Sequence, residues 1–245
     1  MKNYHLGLSI FFVSLAMAGS NAHADSVSRP LAAPNQGQVK IDLNLEISLA
    51  DGAFFDPAAL APDIYYGVSD SVTVGLVHSA ISQGLLGVGG ALRLGDDKLY
   101  NTTGLEGYLR FLNTGTLELS GQGGLYADAY SPDFLTSIKL GAIGRLRTGQ
   151  LEAVINPQIR LPLNESEVRE NQVHIPVLIY YGLREDLDFA IVTGLQDEAF
   201  QLGFGAAYDL VGPVDLGGHV GWPRLAGNGS ALDALALNLY ASIAL

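Results

Sequence analysis

The chain has 245 residues, of which 48% are hydrophobic and 30 are glycine, with no cysteine and a formal net charge of −12. The absence of cysteine excludes disulfides and cysteine-ligated metal as sources of stability. The acidic balance argues against a nucleic-acid partner, which needs a basic surface. Stability must therefore come from burial and from a complete hydrogen-bond ladder.

The first 24 residues have the three parts of a cleavable secretory signal peptide. Lys2 is followed by a 14-residue apolar stretch, LGLSIFFVSLAMAG, and then by Ala22, His23 and Ala24. This stretch is too short to span a bilayer as a helix, and no run of about 18 apolar residues follows it. Removal of residues 1–24 takes away one basic side chain, so the net charge changes from −12 to −13. Any membrane span must therefore consist of β-strands.

The strands are predicted to begin after a short irregular segment. Residues 25–37 contain two prolines and no periodicity, and we interpret them as a periplasmic tail or a plug. Residues 38–245 are predicted to form one barrel domain. From residue 39 to residue 49 apolar and polar side chains alternate strictly, as in Leu43 beside Asn44. A period of two over this length indicates a strand and excludes a helix.

One β-hairpin pattern recurs along the chain. Residues 64–79 read IYYGVSDSVTVGLVHS and residues 179–194 read IYYGLREDLDFAIVTG, each with two alternating runs around a polar break. The same register predicts twelve strands, near 38–50, 62–69, 71–80, 102–112, 116–127, 134–147, 149–163, 173–184, 186–195, 199–210, 213–222 and 233–245. A further hairpin within 81–101, at LLGVGGALRL, would raise the count to fourteen.

The connections between these strands alternate in length. Tight turns lie around Asp70, 113–115, Thr148, Glu185 and Gly212, whereas the other connections are mostly longer, acidic and rich in glycine or proline. This asymmetry is typical of an outer-membrane barrel with its tight turns in the periplasm. We predict an all-β fold, a single antiparallel up-and-down transmembrane β-barrel whose first and last strands pair and so remove both edges. A soluble sandwich with the apolar side chains inside is the competing fold.

The aromatic residues on the apolar face favour the barrel. With the tight turns placed together, one group lies near that end and a second group near the other, as two interfacial girdles require. The first group is Tyr66, Phe111, Tyr181, Phe189 and Tyr208, and the second is Phe134, Phe200 and Trp222.

The polar face of the strands carries charges of both signs. Inside a narrow lumen these side chains would pair, because an unpaired buried charge is costly. The candidate lumen-lining, solute-binding residues are Lys40, Asp42, Glu46, Glu106, Arg110, Glu118, Lys139, Arg145, Glu152, Arg160, Asp188, Asp215 and His219.

The last predicted strand resembles the C-terminal assembly signal of bacterial outer-membrane proteins. Residues 233–245 alternate apolar and small or polar side chains up to Leu245, where that family usually has Phe. By this resemblance the strand is expected to contact the barrel-assembly machinery. More widely, residues 38–245 resemble a bacterial outer-membrane β-barrel. The IYYG hairpins are similar to those of small transporter-like or porin-like barrels, including those associated with aromatic-compound degradation.

No catalytic or metal site is predicted. His78, His174 and His219 lie far apart, and a lone strand histidine usually serves as a hydrogen-bonding side chain. Ser79 cannot pair with His78, because adjacent strand residues point to opposite faces. The glycines of 84–90, GLLGVGG, have no phosphate-loop context and are interpreted as a flexible loop. We expect no cofactor and no enzymatic activity.

The resemblance implies passive passage of a small solute through a narrow channel in the bacterial outer membrane, with residues 25–37 or 81–101 as a plug. A non-conducting structural or surface-interaction barrel is the alternative, and an outer-membrane lipid-modifying enzyme is a third class. The expected partners are outer-membrane lipid and lipopolysaccharide, the assembly machinery and a small solute.

Overall fold

The structure is a computed structural model that describes residues 34–50, 57–89, 92–94, 102–129, 134–164, 171–210, 214–227 and 232–245. The predicted signal peptide, residues 1–24, and residues 25–33 lie outside these segments. The described chain contains fourteen strands and one turn of 3-10 helix at Ile81–Gln83. Within the described segments, no helix is long and apolar enough to cross a membrane.

The strands form one antiparallel sheet that closes on itself. They are β1 Val39–Ser48, β2 Ala58–Gly67, β3 Val72–Val77, β4 Leu92–Leu94, β5 Thr103–Asn113, β6 Leu117–Ala129, β7 Leu135–Thr148, β8 Leu151–Ile155, β9 Gln158–Pro162, β10 Gln172–Arg184, β11 Leu187–Gln196, β12 Ala199–Asp209, β13 Val214–Gly227 and β14 Ala236–Ala244. Apart from β4, and from β8 and β9, which do not pair with each other, sequential strands are neighbours, and β1 pairs with both β2 and β14.

Two irregularities explain why fourteen strands make a twelve-stranded barrel. Asn156 and Pro157 interrupt one strand of the wall, so that β8 and β9 are its two halves, and both pair with β7 and β10. The three-residue β4 pairs only with the start of β2, on the edge that also pairs with β3, so it continues the position of β3 and adds no further strand to the ring. The predicted barrel of twelve strands is therefore confirmed, and so is the pairing of its first strand with its last.

Four predicted strand ends are wrong by three to five residues. β13 continues to Gly227 although residues 223–232 were predicted as a loop, and β14 begins at Ala236 and not at residue 233. β2 begins at Ala58 although residues 51–61 were predicted as a loop, because the pairing with β1 continues to Ala58 despite Pro62, which has no N–H to donate. β3 ends at Val77, because the chain leaves the wall at His78 and turns into the barrel.

The side chains face as the alternation predicts. The leucines are outside: Leu43 is 46% exposed and Leu105 is 63% exposed, while Lys40 and Glu46 are fully buried. A soluble sandwich would show the reverse arrangement, so that competing prediction is wrong. An exposed apolar band around a polar interior is what a membrane-spanning barrel requires.

The repeated IYYG motif has a structural basis in this facing. In each copy the first tyrosine points inward and the second outward: Tyr65 and Tyr180 are buried, whereas Tyr66 and Tyr181 are each 46% exposed. The ring of Tyr65 lies against Gly75 on the neighbouring strand, where a Cβ would be only 2.5 Å from the ring. Glycine at this position lets an aromatic ring lie flat on the inner wall.

The outer aromatic residues lie where the two girdles were predicted. Tyr181 is the register partner of Phe189 near one tight turn, and both are exposed. At the opposite end Phe134 and Phe200 are exposed, and the Trp222 indole N–H donates to the Leu232 carbonyl at 3.0 Å. The contact of these residues with the membrane interface stays a prediction.

The exposure of Leu43 in the middle of β1 leads to a test of the lipid-facing band. Leu43→Arg should destabilise the barrel in lipid vesicles by about 2–4 kcal/mol, because it places a cation near the bilayer midplane. Leu43→Met should change the folded fraction little. The folded fraction is measured by the heat-dependent gel mobility of vesicle-inserted protein. Equal folding of the two variants would show that this face does not meet lipid.

Candidate functional site

Every predicted lumen residue lies inside the barrel. Two of them, Arg110 and Arg160, keep some exposure, and the others are buried: Lys40, Asp42, Glu46, Glu106, Glu118, Lys139, Arg145, Glu152, Asp188, Asp215 and His219. This placement follows from the alternation of the strands. Their role in binding a solute stays a prediction.

Charges of opposite sign meet across the lumen wall. The closest pairs are Lys139 Nζ to Glu106 Oε1 at 2.5 Å and Lys40 Nζ to Asp42 Oδ2 at 2.9 Å. Further pairs are Arg160–Asp128 at 3.2 Å, Arg145–Glu152 at 3.7 Å and Arg110–Glu118 at 3.8 Å. These contacts offset the cost of burying charge.

Glu106 is the centre of the most extensive ion-pair cluster. Its carboxylate accepts hydrogen bonds from the hydroxyls of Tyr108 and Tyr126 and from the Lys139 ammonium. The guanidinium of Arg160 stacks on the Tyr126 ring, 4.0 Å from the ring centroid. This part of the lumen is therefore filled by wall side chains that satisfy one another.

The chain that follows β3 also fills part of the lumen, in the half that lies toward the longer connections, which we call the loop half. We call residues 78–89 the plug segment. Its residues 78–86 are all buried, and Gly84 and Gly87 adopt φ values of +76° and +127°, which favour glycine. The expectation of a flexible loop at 84–90 is therefore wrong for 84–89: this part of the segment is packed inside the barrel because the wall supplies its hydrogen-bond partners.

Two carboxylates on β1 and β2 hold the two ends of the plug segment. Glu46 accepts the backbone N–H of Ala80 at 2.6 Å and that of Gly89 at 2.7 Å. Asp63 accepts the backbone N–H of His78 at 2.5 Å and the Ser79 hydroxyl at 2.5 Å. Backbone donors therefore partner two buried carboxylates that have no lysine or arginine beside them among the described residues.

Carboxamides on β12 and β14 hold the middle of the segment. Gln201 of β12 accepts the Leu86 N–H at 3.0 Å and donates to the Gly84 carbonyl at 3.0 Å. Asn238 of β14 donates to the Gly87 carbonyl at 2.8 Å and faces the Gly87 N–H at 3.5 Å.

The remaining contacts with the plug segment come from the wall strand that consists of β8 and β9. Asn156 and Gln158 both donate to the Gln83 carbonyl, at 3.1 and 3.0 Å. Arg160 donates to the Gln83 side-chain oxygen at 2.7 Å. The plug segment is thus tied to strands on both sides of the lumen.

The sequence did not single out most of these partners. Asp63, Asn156, Gln158, Gln201 and Asn238 were not candidates, although all five lie on the inward face. Four of them have uncharged carboxamide side chains, whereas the predicted lumen residues all have ionisable side chains. An uncharged polar residue at an inward position of a strand was the indication that could have identified these four. Asp63 was missed because residues up to 61 were predicted as a loop, which placed it at a strand end.

Among the described residues, Ser79 contacts a carboxylate and not an imidazole. His78 and Ser79 both lie beyond the end of β3 and are both buried, so the prediction that they point to opposite faces of a strand is wrong. The Ser79 hydroxyl donates to Asp63, while His78 Nδ1 donates to the Pro62 carbonyl. Burial lowers the pKa of the His78 imidazole, and its hydrogen bond to Pro62 acts in the opposite direction. No group of three or more metal-ligating side chains occurs within the described segments. The absence of enzymatic activity stays a prediction.

No protein-family model matches the chain, and no curated protein sequence matches it. The barrel is similar to an outer membrane channel from Pseudomonas putida F1, with a TM-score of 0.56 and 13% identity over 92% of this chain and 100% of that one. It is also similar to OmpT of Vibrio cholerae in its trimer form, with a TM-score of 0.43 and 10% identity over 86% and 100% of the two chains. Outer membrane phospholipase A from Escherichia coli gives a TM-score of 0.48 and 11% identity over 87% and 95%. The chain has the fold of bacterial outer-membrane β-barrels.

The buried pair of Lys139 and Glu106 should matter more for stability than an exposed pair. Lys139→Met should lower the free energy of unfolding by about 3–5 kcal/mol, because it leaves a buried carboxylate without its cation. Arg184→Met is the matched control: the Arg184 and Asp186 side chains are 62% and 41% exposed, and such pairs contribute about 0–1 kcal/mol. Urea unfolding in vesicles measures both. Similar losses would show that Glu106 does not depend on Lys139.

Proposed function

We propose that this chain is a bacterial outer-membrane protein and that its barrel gives passive passage to a small solute when the plug segment leaves the lumen. The observation that supports this proposal is the way in which the loop half of the lumen is filled. A loop held by hydrogen bonds occupies it, whereas ion pairs between wall residues, such as Arg145 with Glu152 and Arg110 with Glu118, lie near the tight turns. A segment of this kind can exchange its partners for water or for a solute without unfolding the wall.

The charge of the plug segment supports its displacement. His78 is its only ionisable residue, and burial lowers the pKa of that imidazole. Departure of the segment therefore separates no lysine or arginine from a carboxylate, although it moves the His78 ring away from Asp63, 3.9 Å distant. The hydrogen bonds of the segment to carboxamides contribute a small net free energy of about 0.5–1.5 kcal/mol each, and those to the Glu46 and Asp63 carboxylates about 1.5–3 kcal/mol each. The similar Pseudomonas putida protein is described as a channel, which agrees with a conducting role.

The outer surface supports the location. Exposed leucines occur around the ring, from Leu43 of β1 to Leu239 of β14, and the last strand closes the wall against the first. We propose that lipid and lipopolysaccharide meet this band and that residues 233–245 contact the assembly machinery during insertion.

A non-conducting structural barrel is the second candidate. It is favoured by the tyrosines that fill the tight-turn half, where Tyr65 and Tyr108 pack edge to face with ring centroids 6.0 Å apart. Conductance separates the two candidates. A lipid-modifying enzyme is the least favoured class, because Ser79 is bonded to Asp63 rather than to an imidazole.

Weakening the contacts that hold the plug segment should open the channel. The double variant Glu46→Ala with Asp63→Ala removes two acceptors. The backbone N–H groups that these acceptors bind then find partners only in water, which favours the state in which the plug segment has left the lumen. The open fraction should rise about tenfold or more, measured as ion conductance in planar bilayers. Glu118→Gln is the control, because Glu118 contacts Arg110 and not the plug segment. A folded double variant that conducts no more than the wild type would argue for the structural barrel.

A disulfide that holds the plug segment in the lumen should close the channel of the double variant reversibly. A Cβ built on Gly84 lies 3.0 Å from the Cβ of Pro176, shorter than the roughly 3.5–4.5 Å that a disulfide spans, so the bridge requires the two backbones to move apart by about half an ångström. Because the chain has no cysteine, Gly84→Cys with Pro176→Cys forms the sole thiol pair. Added to the double variant, the pair should abolish conductance when oxidised and restore it when reduced. Conductance that ignores the redox state of a verified disulfide would show that the plug segment is not the gate.

A further inference from the structure

Six inward side chains bind the backbone and hydroxyl groups of the plug segment, beside Arg160, which binds its Gln83 side chain. We call them the polar ring: Glu46, Asp63, Asn156, Gln158, Gln201 and Asn238. All six are buried. Their partners are backbone N–H groups, backbone carbonyls and the hydroxyls of Ser79 and Ser82.

The carboxamides of Gln201 and Asn238 each contact one backbone carbonyl and one backbone N–H of the plug segment. Gln201 brackets the Gly84 carbonyl and the Leu86 N–H, both at 3.0 Å, with its own donor and acceptor. Asn238 faces both the carbonyl and the N–H of Gly87. A carboxamide presents one donor group and one acceptor in fixed positions, so it matches the donor and acceptor of a peptide chain.

Departure of the plug segment would leave the polar ring without these partners. A buried donor or acceptor that loses its partner costs more free energy than a formed hydrogen bond contributes. A solute that supplies the same groups binds the open state and not the plugged state, and therefore shifts the equilibrium toward opening.

We propose that the polar ring is the solute-binding site and that it takes short peptides, whose amide groups replace those of the plug segment. The proposal rests on the passage function proposed above. In it, Gln201 and Asn238 determine specificity, and Glu46 and Asp63 accept peptide N–H groups.

The charges around the ring point to discrimination against anions. Lys139 and Lys40 are paired with the carboxylates of Glu106 and Asp42. Arg160 reaches Gln83 but is also bonded to Asp128 at 3.2 Å. The ring itself contributes two carboxylates and four carboxamides, so a solute carboxylate meets acceptors of its own sign there.

Uptake into proteoliposomes tests the proposal with three probes of similar mass. They are N-acetyl-glycyl-glycine amide, mannitol, which has no amide, and N-acetyl-glycyl-glycine, which carries a carboxylate. Full-length protein should admit the capped amide about tenfold faster than mannitol, as expected if about two net hydrogen bonds distinguish the probes. The carboxylate probe should enter more slowly than the amide.

Variants of the ring separate recognition from opening. Gln201→Leu with Asn238→Leu should reduce the preference for the amide over mannitol to about unity, and the isosteric Gln201→Glu should lower it while keeping the fold. Thr73→Val is the control, since Thr73 is a buried inward residue that contacts Pro34 and not the plug segment; it should keep the preference.

The outcomes distinguish the two proposals. If no probe and no ion enters even through the Glu46→Ala, Asp63→Ala protein, the passage function is wrong. If ions and mannitol pass but the amide has no advantage, or if its advantage survives in Gln201→Glu and in the double leucine variant, peptide binding by the polar ring is wrong and passage stands.

Discussion

Inside a hydrocarbon layer an unpaired backbone amide has no water to bond, and this barrel meets that requirement where its last strand joins its first. Val39 and Leu245 exchange both backbone hydrogen bonds, at 2.9 and 2.8 Å, and β1 and β14 stay in register from Lys40 to Ser48. Closure removes both edges of the sheet. It also encloses the polar face of every strand, so that the inner side chains must find partners among themselves.

The polar side chains inside the barrel find their partners in two ways. Where cations are available, they pair with carboxylates, as Lys139 does with Glu106. Where they are not, the plug segment supplies backbone N–H groups, as it does to Glu46 and Asp63. A buried anion is stabilised by several aligned amide donors as well as by a cation. The plug segment and the uncharged partners of the wall therefore form one hydrogen-bonded unit, and neither is satisfied without the other.

The low identity to a similar barrel has a physical explanation. At 13% identity the shared architecture is still clear, because an outward position needs only an apolar side chain and an inward one needs only a partner that completes its bonding. Few positions demand a particular residue. Gly75, against which the Tyr65 ring lies, is one of them, because any side chain there would collide with the ring.

The facing of the strands could be predicted from the amino-acid order, because side chains in a strand alternate with a period of two whatever lies across from them. That rule alone placed Lys40, Glu106 and Lys139 inside and Leu43 outside. It could not show that Gln201 and Asn238 meet residues 84–87, which are more than a hundred positions away in the chain. Those contacts exist only after closure brings β12 and β14 around the lumen, because hydrogen bonding depends on distances in space that no local period encodes. The tertiary structure alone therefore decided that a glycine-rich stretch of the chain is the packed interior of the barrel.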